Sequence, residues 1–201
     1  NRLFAAYALV SGLALAFPHR PANWPLLAAL HLVVAPWALG VPPLGRWSTR
    51  AVRRWPRPGQ FLADAYPLLL IPLLYTELAP LNQAVHGGRY FDDLILRWEE
   101  ALFGTQPSVT LWQALPFPLL SELLHGAYLS YYAIIYVPPL ILWLSGRIEP
   151  FREMVFTVML TFFAHYLFFI FFPVQGPRYL FPQPDGVIAG GALFQFTHLV
   201  L

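Results

Sequence analysis

Residues 119–144 read LLSELLHGAYLSYYAIIYVPPLILWL, a stretch with one carboxylate and no arginine or lysine. A helix needs about 17 to 25 mostly apolar residues to cross the hydrocarbon core of a membrane, so this stretch is long enough to span it. Four other stretches have a similar composition, although the first of them is short. The sequence therefore predicts an all-α bundle of five membrane-spanning helices, at Leu3–Phe17, Trp24–Leu39, Phe61–Ala79, Leu119–Leu144 and Phe151–Phe172.

The composition of the whole chain agrees with a membrane protein. Of the 201 residues, 58% are hydrophobic and 11% are charged, whereas about 25% are charged in ordinary soluble domains. All 12 basic residues are arginines, and the net charge is only +2, so we expect no nucleic-acid-binding face. The absence of cysteine excludes disulfides, cysteine nucleophiles and thiolate metal sites. We interpret residues 1–201 as one integral membrane domain, incomplete at both ends.

The arginines of the loops indicate the orientation of the helices, because positive residues are retained on the cytoplasmic side. The connection between the second and third spans has five arginines and no acid: Arg46, Arg50, Arg53, Arg54 and Arg57. If this loop is cytoplasmic, Pro80–Pro118 and the segment after Pro173 lie outside. We therefore expect a protein of the inner or plasma membrane, with these segments facing the periplasm or a lumen.

The long outer connection contains the pattern of one more helix. Its apolar residues recur at spacings of three and four, as in an amphipathic helix that lies flat at a membrane surface: Phe91, Leu94, Ile95, Trp98 and Leu102. Gly104 is expected to end this interfacial helix, and Ser108 is a candidate cap for the next one.

Ionisable residues inside spanning helices cost about 2.5 kcal/mol or more near the membrane centre, so each is a functional hypothesis. In the predicted topology, Asp64 lies near the inner end and the others lie in the outer half: His31, Glu77, Glu122, His125 and His165. This distribution predicts a polar pocket that opens outward. Tyr132, from a tyrosine stripe on the fourth span, would hold a polar headgroup there if the stripe faces the pocket.

Simpler explanations remain open for several of these residues. Glu122 and His125 have the Glu-x-x-His spacing of di-iron bundles, but such a site needs a second pair, which the sequence lacks, and we expect no metal. A hydrogen-bonded pair between helices explains Glu122 and His125 as well as catalysis does. For His31 and His165 the simpler explanation is favoured, because a lone buried histidine usually donates to a neighbouring helix carbonyl.

Residues 172–179 follow the fifth span and place the guanidinium of Arg178 at the outer end of the predicted bundle. Arg178 offers a permanent charge and a planar fork that suits phosphate oxygens, and Gly176 permits a tight turn beside a ligand. Gln175 and Tyr179 flank this arginine and complete the candidate pocket. The alternative is an arginine that merely reaches lipid headgroups.

Two segments, residues 89–108 and residues 172–179, together resemble the membrane branch of the type 2 phosphatidic acid phosphatase and vanadium haloperoxidase-like superfamily. The inositolphosphotransferase-like group is the most similar. The first segment runs from Arg89-Tyr-Phe-Asp-Asp93 to Leu102-Phe-Gly-Thr-Gln-Pro-Ser108, and the second resembles the first phosphatase motif. The fuller motif has a lysine seven residues before its arginine and a proline after it, where this chain has Phe171 and Tyr179.

The resemblance implies a six-helix enzyme that acts at the outer face on the phosphate of a lipid or isoprenoid. In such a family, one histidine attacks phosphorus, a second protonates the leaving oxygen, and an aspartate orients the nucleophile, with no metal or other cofactor. Arg178 matches the phosphate-binding arginine. His198 lacks the Pro-Ser-x-x-His context of a catalytic histidine, so the catalytic residues are expected beyond Leu201.

These observations favour a membrane phosphatase or phosphotransferase for lipid phosphates with a phosphohistidine-type mechanism. The alternative is a non-catalytic membrane subunit or lipid-binding scaffold, whose partners would be membrane lipids and the other subunits of a larger complex.

Overall fold

The computed structural model describes residues 2–38, 56–182, 186 and 188–200, and every regular element in these ranges is helical. This confirms the all-α prediction for the described part of the chain. Short 3₁₀ helices occur at Leu13–Ala16 and Ile188–Gly190. The α-helices are α1 (Arg2–Gly12), α2 (Trp24–Ala38), α3 (Pro56–Thr76), α4 (Leu78–His86), α5 (Asp92–Phe103), α6 (Pro107–Ala114), α7 (Pro118–Leu144), α8 (Ile148–Phe171), α9 (Pro177–Leu180) and α10 (Ala192–Val200).

Two of these helices, α7 and α8, are long and apolar enough to cross a membrane, and a bent pair formed by α3 and α4 makes a third candidate. The bounds of α7 and α8 agree closely with the last two predicted spans. The five predicted spans are not confirmed, because the apolar stretches of α1 and α2 reach only 10–17 residues. At about 1.5 Å per residue, such helices fall short of the roughly 30 Å hydrocarbon core. The described helices fit an integral membrane protein.

The predicted cytoplasmic arginine loop falls mainly on residues whose structure is not described. Arg46, Arg50, Arg53 and Arg54 lie outside the described residues, and only the backbone of Arg57, in α3, is included. The orientation of the bundle therefore stays a prediction.

The third predicted span, Phe61–Ala79, is not one continuous helix. The structure breaks it between α3 and α4, which are bent by 46°. Pro80 explains the break, because proline has no N–H for the carbonyl four residues earlier, at Thr76, and its ring crowds that carbonyl. Helix α4 itself was not predicted from the sequence. Its buried residues recur every three positions, a signal too short to separate from a loop: Leu78, Leu81 and Ala84.

The chain forms two compact units, of which unit 1 comprises residues 1–89 and 139–173. In unit 1, α1 packs against α2, and both α3 and α4 pack against α8. Stacked aromatic rings fill the core, with Tyr7 on Phe163 at 4.4 Å and Phe61 on Phe151 at 5.9 Å between ring centroids.

Unit 1 also contains four of the ionisable residues named in the predicted spans: His31, Asp64, Glu77 and His165. The Nε of Arg152 donates to Asp64 Oδ2 at 3.0 Å. His31 Nε2 lies 3.8 Å from Glu77 Oε2, and His31 Nδ1 donates to the carbonyl of Leu27 at 2.8 Å. The helix-carbonyl explanation therefore applies to His31, whose Nε2 lies 3.2 Å from Ser11 Oγ, closer than it lies to the Glu77 carboxylate.

Unit 2 comprises residues 90–138 and 174–201. The amphipathic helix predicted from Phe91 to Leu102 is α5, and Gly104, with φ 68°, ends it in the left-handed conformation as expected. The cap assigned to Ser108 is wrong, because α6 begins at Pro107 and its N-cap residue is Gln106. Proline takes the first helical position readily since its missing N–H would have no partner there.

A buried hydrogen bond joins α8 to α3 and gives a test of the packing in unit 1. Tyr166 Oη donates to the carbonyl of Ile71 at 3.2 Å. We expect Tyr166→Phe to lower the free energy of unfolding by about 1 kcal/mol, because the phenyl ring fills the same space without this bond. Unfolding in mixed detergent micelles measures the change. Tyr75→Phe is the control, since Tyr75 is 63% exposed; equal losses in both variants would contradict the packing.

Candidate functional site

The segment that carries Arg178 begins where α8 ends, at Phe171. Gly176 has φ 88° and ψ 169°, a conformation that favours glycine, and it turns the chain directly into α9. The tight turn expected at this glycine is therefore present. Pro177 is the first residue of α9, and Arg178, half-buried, is the second.

The carboxylate of Asp92 holds this turn in place. Asp92 Oδ1 accepts the N–H groups of Gln175 and Gly176, each at 3.0 Å, and Oδ2 lies 3.2 Å from the Gln175 nitrogen. Asp92 is only 6% exposed. Hydrogen bonds to an ionised carboxylate are about twice as strong as neutral ones, so Asp92 anchors the turn before Arg178 firmly to α5.

A second carboxylate, that of Glu122 on α7, binds the start of α10. Its Oε2 accepts the N–H of Leu193 and its Oε1 accepts the N–H of Phe194, each at 3.0 Å. His125 instead donates from Nδ1 to the carbonyl of Ser121, on its own helix, at 2.7 Å. Glu122 thus binds backbone N–H groups, and His125 binds the carbonyl of Ser121 with the Ser121 hydroxyl 3.4 Å from the same nitrogen, so the two side chains are not described as a hydrogen-bonded pair.

Two histidines contact the same aromatic ring in unit 2. The ring centroid of Phe194 is 4.8 Å from that of His125 and 4.2 Å from that of His198. Burial lowers the pKa of His198 below its usual value, and the charge of Arg178 and the neighbouring His125 lower it further. At neutral pH His198 is therefore uncharged. His198 was not among the site residues predicted from the sequence, but the charge of Arg178 acts on it.

The remaining candidate residues divide between the units. Gln175, Tyr179 and Tyr132 belong to unit 2, where all three are exposed. The Tyr132 ring lies 5.6 Å from that of Tyr131, within the exposed tyrosine stripe of α7. His165 belongs to unit 1, where its Nδ1 donates to the carbonyl of Thr161 at 2.7 Å, so the helix-carbonyl explanation applies to it.

The described residues enclose a cavity but form no group that could bind a metal ion. No three of their histidine, aspartate or glutamate side chains come together as a group that could hold a metal ion. A cavity of about 280 Å³ lies in unit 1 beside the Asp64–Arg152 ion pair, and none of the candidate site residues lines it. The outward-facing pocket therefore stays a prediction.

A comparison with protein families now identifies the chain at the level of a superfamily. The family model described as the PAP2 superfamily matches residues 93–199, just over half of the chain. The chain belongs to the PAP2 superfamily. The match includes Arg178, Glu122, His125 and His198, and it confirms the resemblance seen in the sequence at superfamily level. Membership indicates a phosphatase-type function and phosphate-ester substrates. No curated protein and no solved structure matches this PAP2 chain.

The anchoring role of Asp92 can be tested by proteolysis. Asp92→Asn leaves one acceptor oxygen and turns an NH₂ group toward backbone donors, so we expect a loss of about 1.5 to 3 kcal/mol of local stability. Trypsin should then cleave after Arg178 faster in this variant than in the wild-type protein. Asp93→Asn, at the exposed neighbouring position, is the control. Equal cleavage rates in both variants would rule out the anchor.

Proposed function

We propose that this PAP2 protein is a phosphatase or phosphotransferase for a lipid or isoprenoid phosphate, of the inositolphosphotransferase-like branch. It acts in an inner or plasma membrane with its site toward the periplasm or a lumen. The observation that carries the proposal is the placement of Arg178, in a turn anchored by Asp92 and within electrostatic reach of His198.

Arg178 is suited to bind the phosphate. Its guanidinium keeps its charge at any physiological pH and can donate two parallel hydrogen bonds to two phosphate oxygens. During phosphoryl transfer negative charge is spread over the equatorial oxygens, and a positive donor already fixed in place stabilises them. The two hydrogen bonds from the preceding turn to Asp92 support such preorganisation.

The position of the site along α7 favours a lipid as the carrier of the phosphate. Glu122 and His125 lie four and seven residues after the first residue of α7, Pro118. At about 1.5 Å per residue, they are roughly 6 to 10 Å from the end of this candidate spanning helix. Groups this close to the end of a spanning helix lie near the headgroup region, which contains the phosphate of a membrane lipid.

The proposed chemistry is covalent catalysis in two displacements. A histidine nitrogen attacks phosphorus and forms a P–N bond as the P–O bond to the leaving group breaks, and the leaving oxygen takes a proton from a second histidine. Water, in a phosphatase, or an alcohol, in a transferase, then gives its proton to that second histidine, attacks phosphorus to form a new P–O bond and breaks the P–N bond. We assign no nucleophile among the residues of this chain, because neither His125 nor His198 has the Pro-Ser-x-x-His context.

Substitution of Arg178 tests the proposal. We expect Arg178→Ala to lower turnover of a lipid phosphate by about 10² to 10³-fold, the loss seen when one donor to a developing oxyanion is removed. The turnover of Arg178→Lys should lie between those of the wild-type protein and Arg178→Ala, because lysine keeps the charge and loses the planar fork. Release of inorganic phosphate, or transfer of the headgroup, is measured with the full-length protein in vesicles.

Arg97→Ala is the matched control, since Arg97 is an exposed arginine of α5 in the same unit. Unchanged turnover in Arg178→Ala would contradict the phosphate-binding role. A wild-type protein that neither hydrolyses nor transfers any lipid phosphate would favour the non-catalytic scaffold.

A further inference from the structure

We infer that Glu122 and Gly191 form a latch that positions α10, so that His198 stands beside His125 in the proposed phosphate site. We call this pair the α10 latch. The inference rests on the proposed function, which makes the surroundings of Arg178 and His198 a phosphate site. It gives Glu122 a positioning role in place of a role in proton transfer.

The Glu122 carboxylate is bound at the N-terminus of α10. The first N–H groups of an α-helix have no partner within the helix, and the helix dipole places partial positive charge there. Both oxygens of Glu122 are used at this end of α10, one on Leu193 and one on Phe194. A carboxylate engaged in this way is held by the backbone and in turn holds it, even though the two partners are 71 and 72 residues away in the chain.

Gly191 directly precedes α10 and lies against Glu122. A Cβ atom at Gly191 would collide with the carboxylate of Glu122, whereas a Cβ atom at the adjacent Gly190 would meet open space. The Glu122 carboxylate can stay on the N–H groups of Leu193 and Phe194 only because residue 191 has no side chain; a Cβ atom there would force the carboxylate to rotate away and lose those bonds. Neither residue has a positive φ, so the difference between them is one of space alone.

Helix α10 carries both Phe194 and His198. Phe194, whose N–H binds Glu122, is one helical turn before His198, and their ring centroids are 4.2 Å apart. The same Phe194 ring contacts His125, and the two histidine ring centroids are 6.3 Å apart. Fixing the first turn of α10 thus fixes the place of His198 next to His125. The effects of Arg178 and His125 on the pKa of His198 agree with this placement.

A double-mutant cycle tests the contact itself. Gly191→Ala should lower the melting temperature clearly, and Gly190→Ala should change it little. In a Glu122→Ala background, Gly191→Ala should cost much less, because the group it collides with is gone. Additive effects in this cycle would contradict the latch.

Histidine NMR of the full-length protein in nanodiscs tests the positioning role. The His198 signal is assigned by its loss in His198→Gln, and its titration is followed with and without inorganic phosphate. In the wild-type protein and in Gly190→Ala, we expect His198 to titrate below an ordinary histidine and to respond to phosphate. In Gly191→Ala and in the Glu122→Ala/Gly191→Ala double variant, the titration should move toward the ordinary value, because in neither variant does the Glu122 carboxylate hold the first turn of α10.

Turnover of a lipid phosphate by Gly191→Ala should fall by about tenfold or more, because small displacements of groups around a reacting phosphate are costly. A His198 titration that is unchanged in Gly191→Ala, beside a lowered melting temperature, would show that the latch is structural only and would overturn the inference. An inactive wild-type protein with the expected titrations would instead overturn the proposed function and leave the latch standing.

Discussion

The proposed site depends on the hydrogen bonds that the Asp92 carboxylate accepts from two successive backbone N–H groups. A buried charge is costly unless hydrogen bonds satisfy it, and here the N–H groups of Gln175 and Gly176 do so. The turn they belong to leads directly to Arg178. Glu122 repeats this arrangement at the start of α10, the helix that carries His198. Two acids therefore organise the backbone around Arg178 and His198, the residues of the proposed phosphate site.

A fixed backbone at Arg178 would favour phosphoryl transfer in the proposed site. Stabilisation of developing charge is greatest when the donors need no rearrangement during the reaction. Arginine has many rotamers, so a rigid backbone beneath Arg178 lowers the cost of ordering its side chain around a phosphate. His198 is uncharged at neutral pH, because burial and the charge of Arg178 lower its pKa. It can therefore act as a hydrogen-bond donor or acceptor without repelling the guanidinium.

The sequence predicted the features that depend on local pattern. The bounds of α7 and α8, the amphipathic helix α5 and its end at Gly104 all follow from hydropathy, periodicity and the conformational freedom of glycine. It missed the break at Glu77 because Pro80 acts on a carbonyl four residues earlier, inside an otherwise continuous apolar stretch. It also missed the role of Asp92, whose partner Gln175 is 83 residues away. An aspartate at the start of an amphipathic helix gives no sign of such a distant partner, and His198 gains its neighbours in the same long-range way.

The most direct test of the account is an experimental structure of the full-length protein with vanadate, an analogue of phosphate in phosphoryl transfer. The account predicts vanadate bound by two nitrogen atoms of Arg178, with the turn at Gly176 still held by Asp92. Vanadate bound elsewhere, with the Arg178 side chain extended into lipid or solvent, would contradict it.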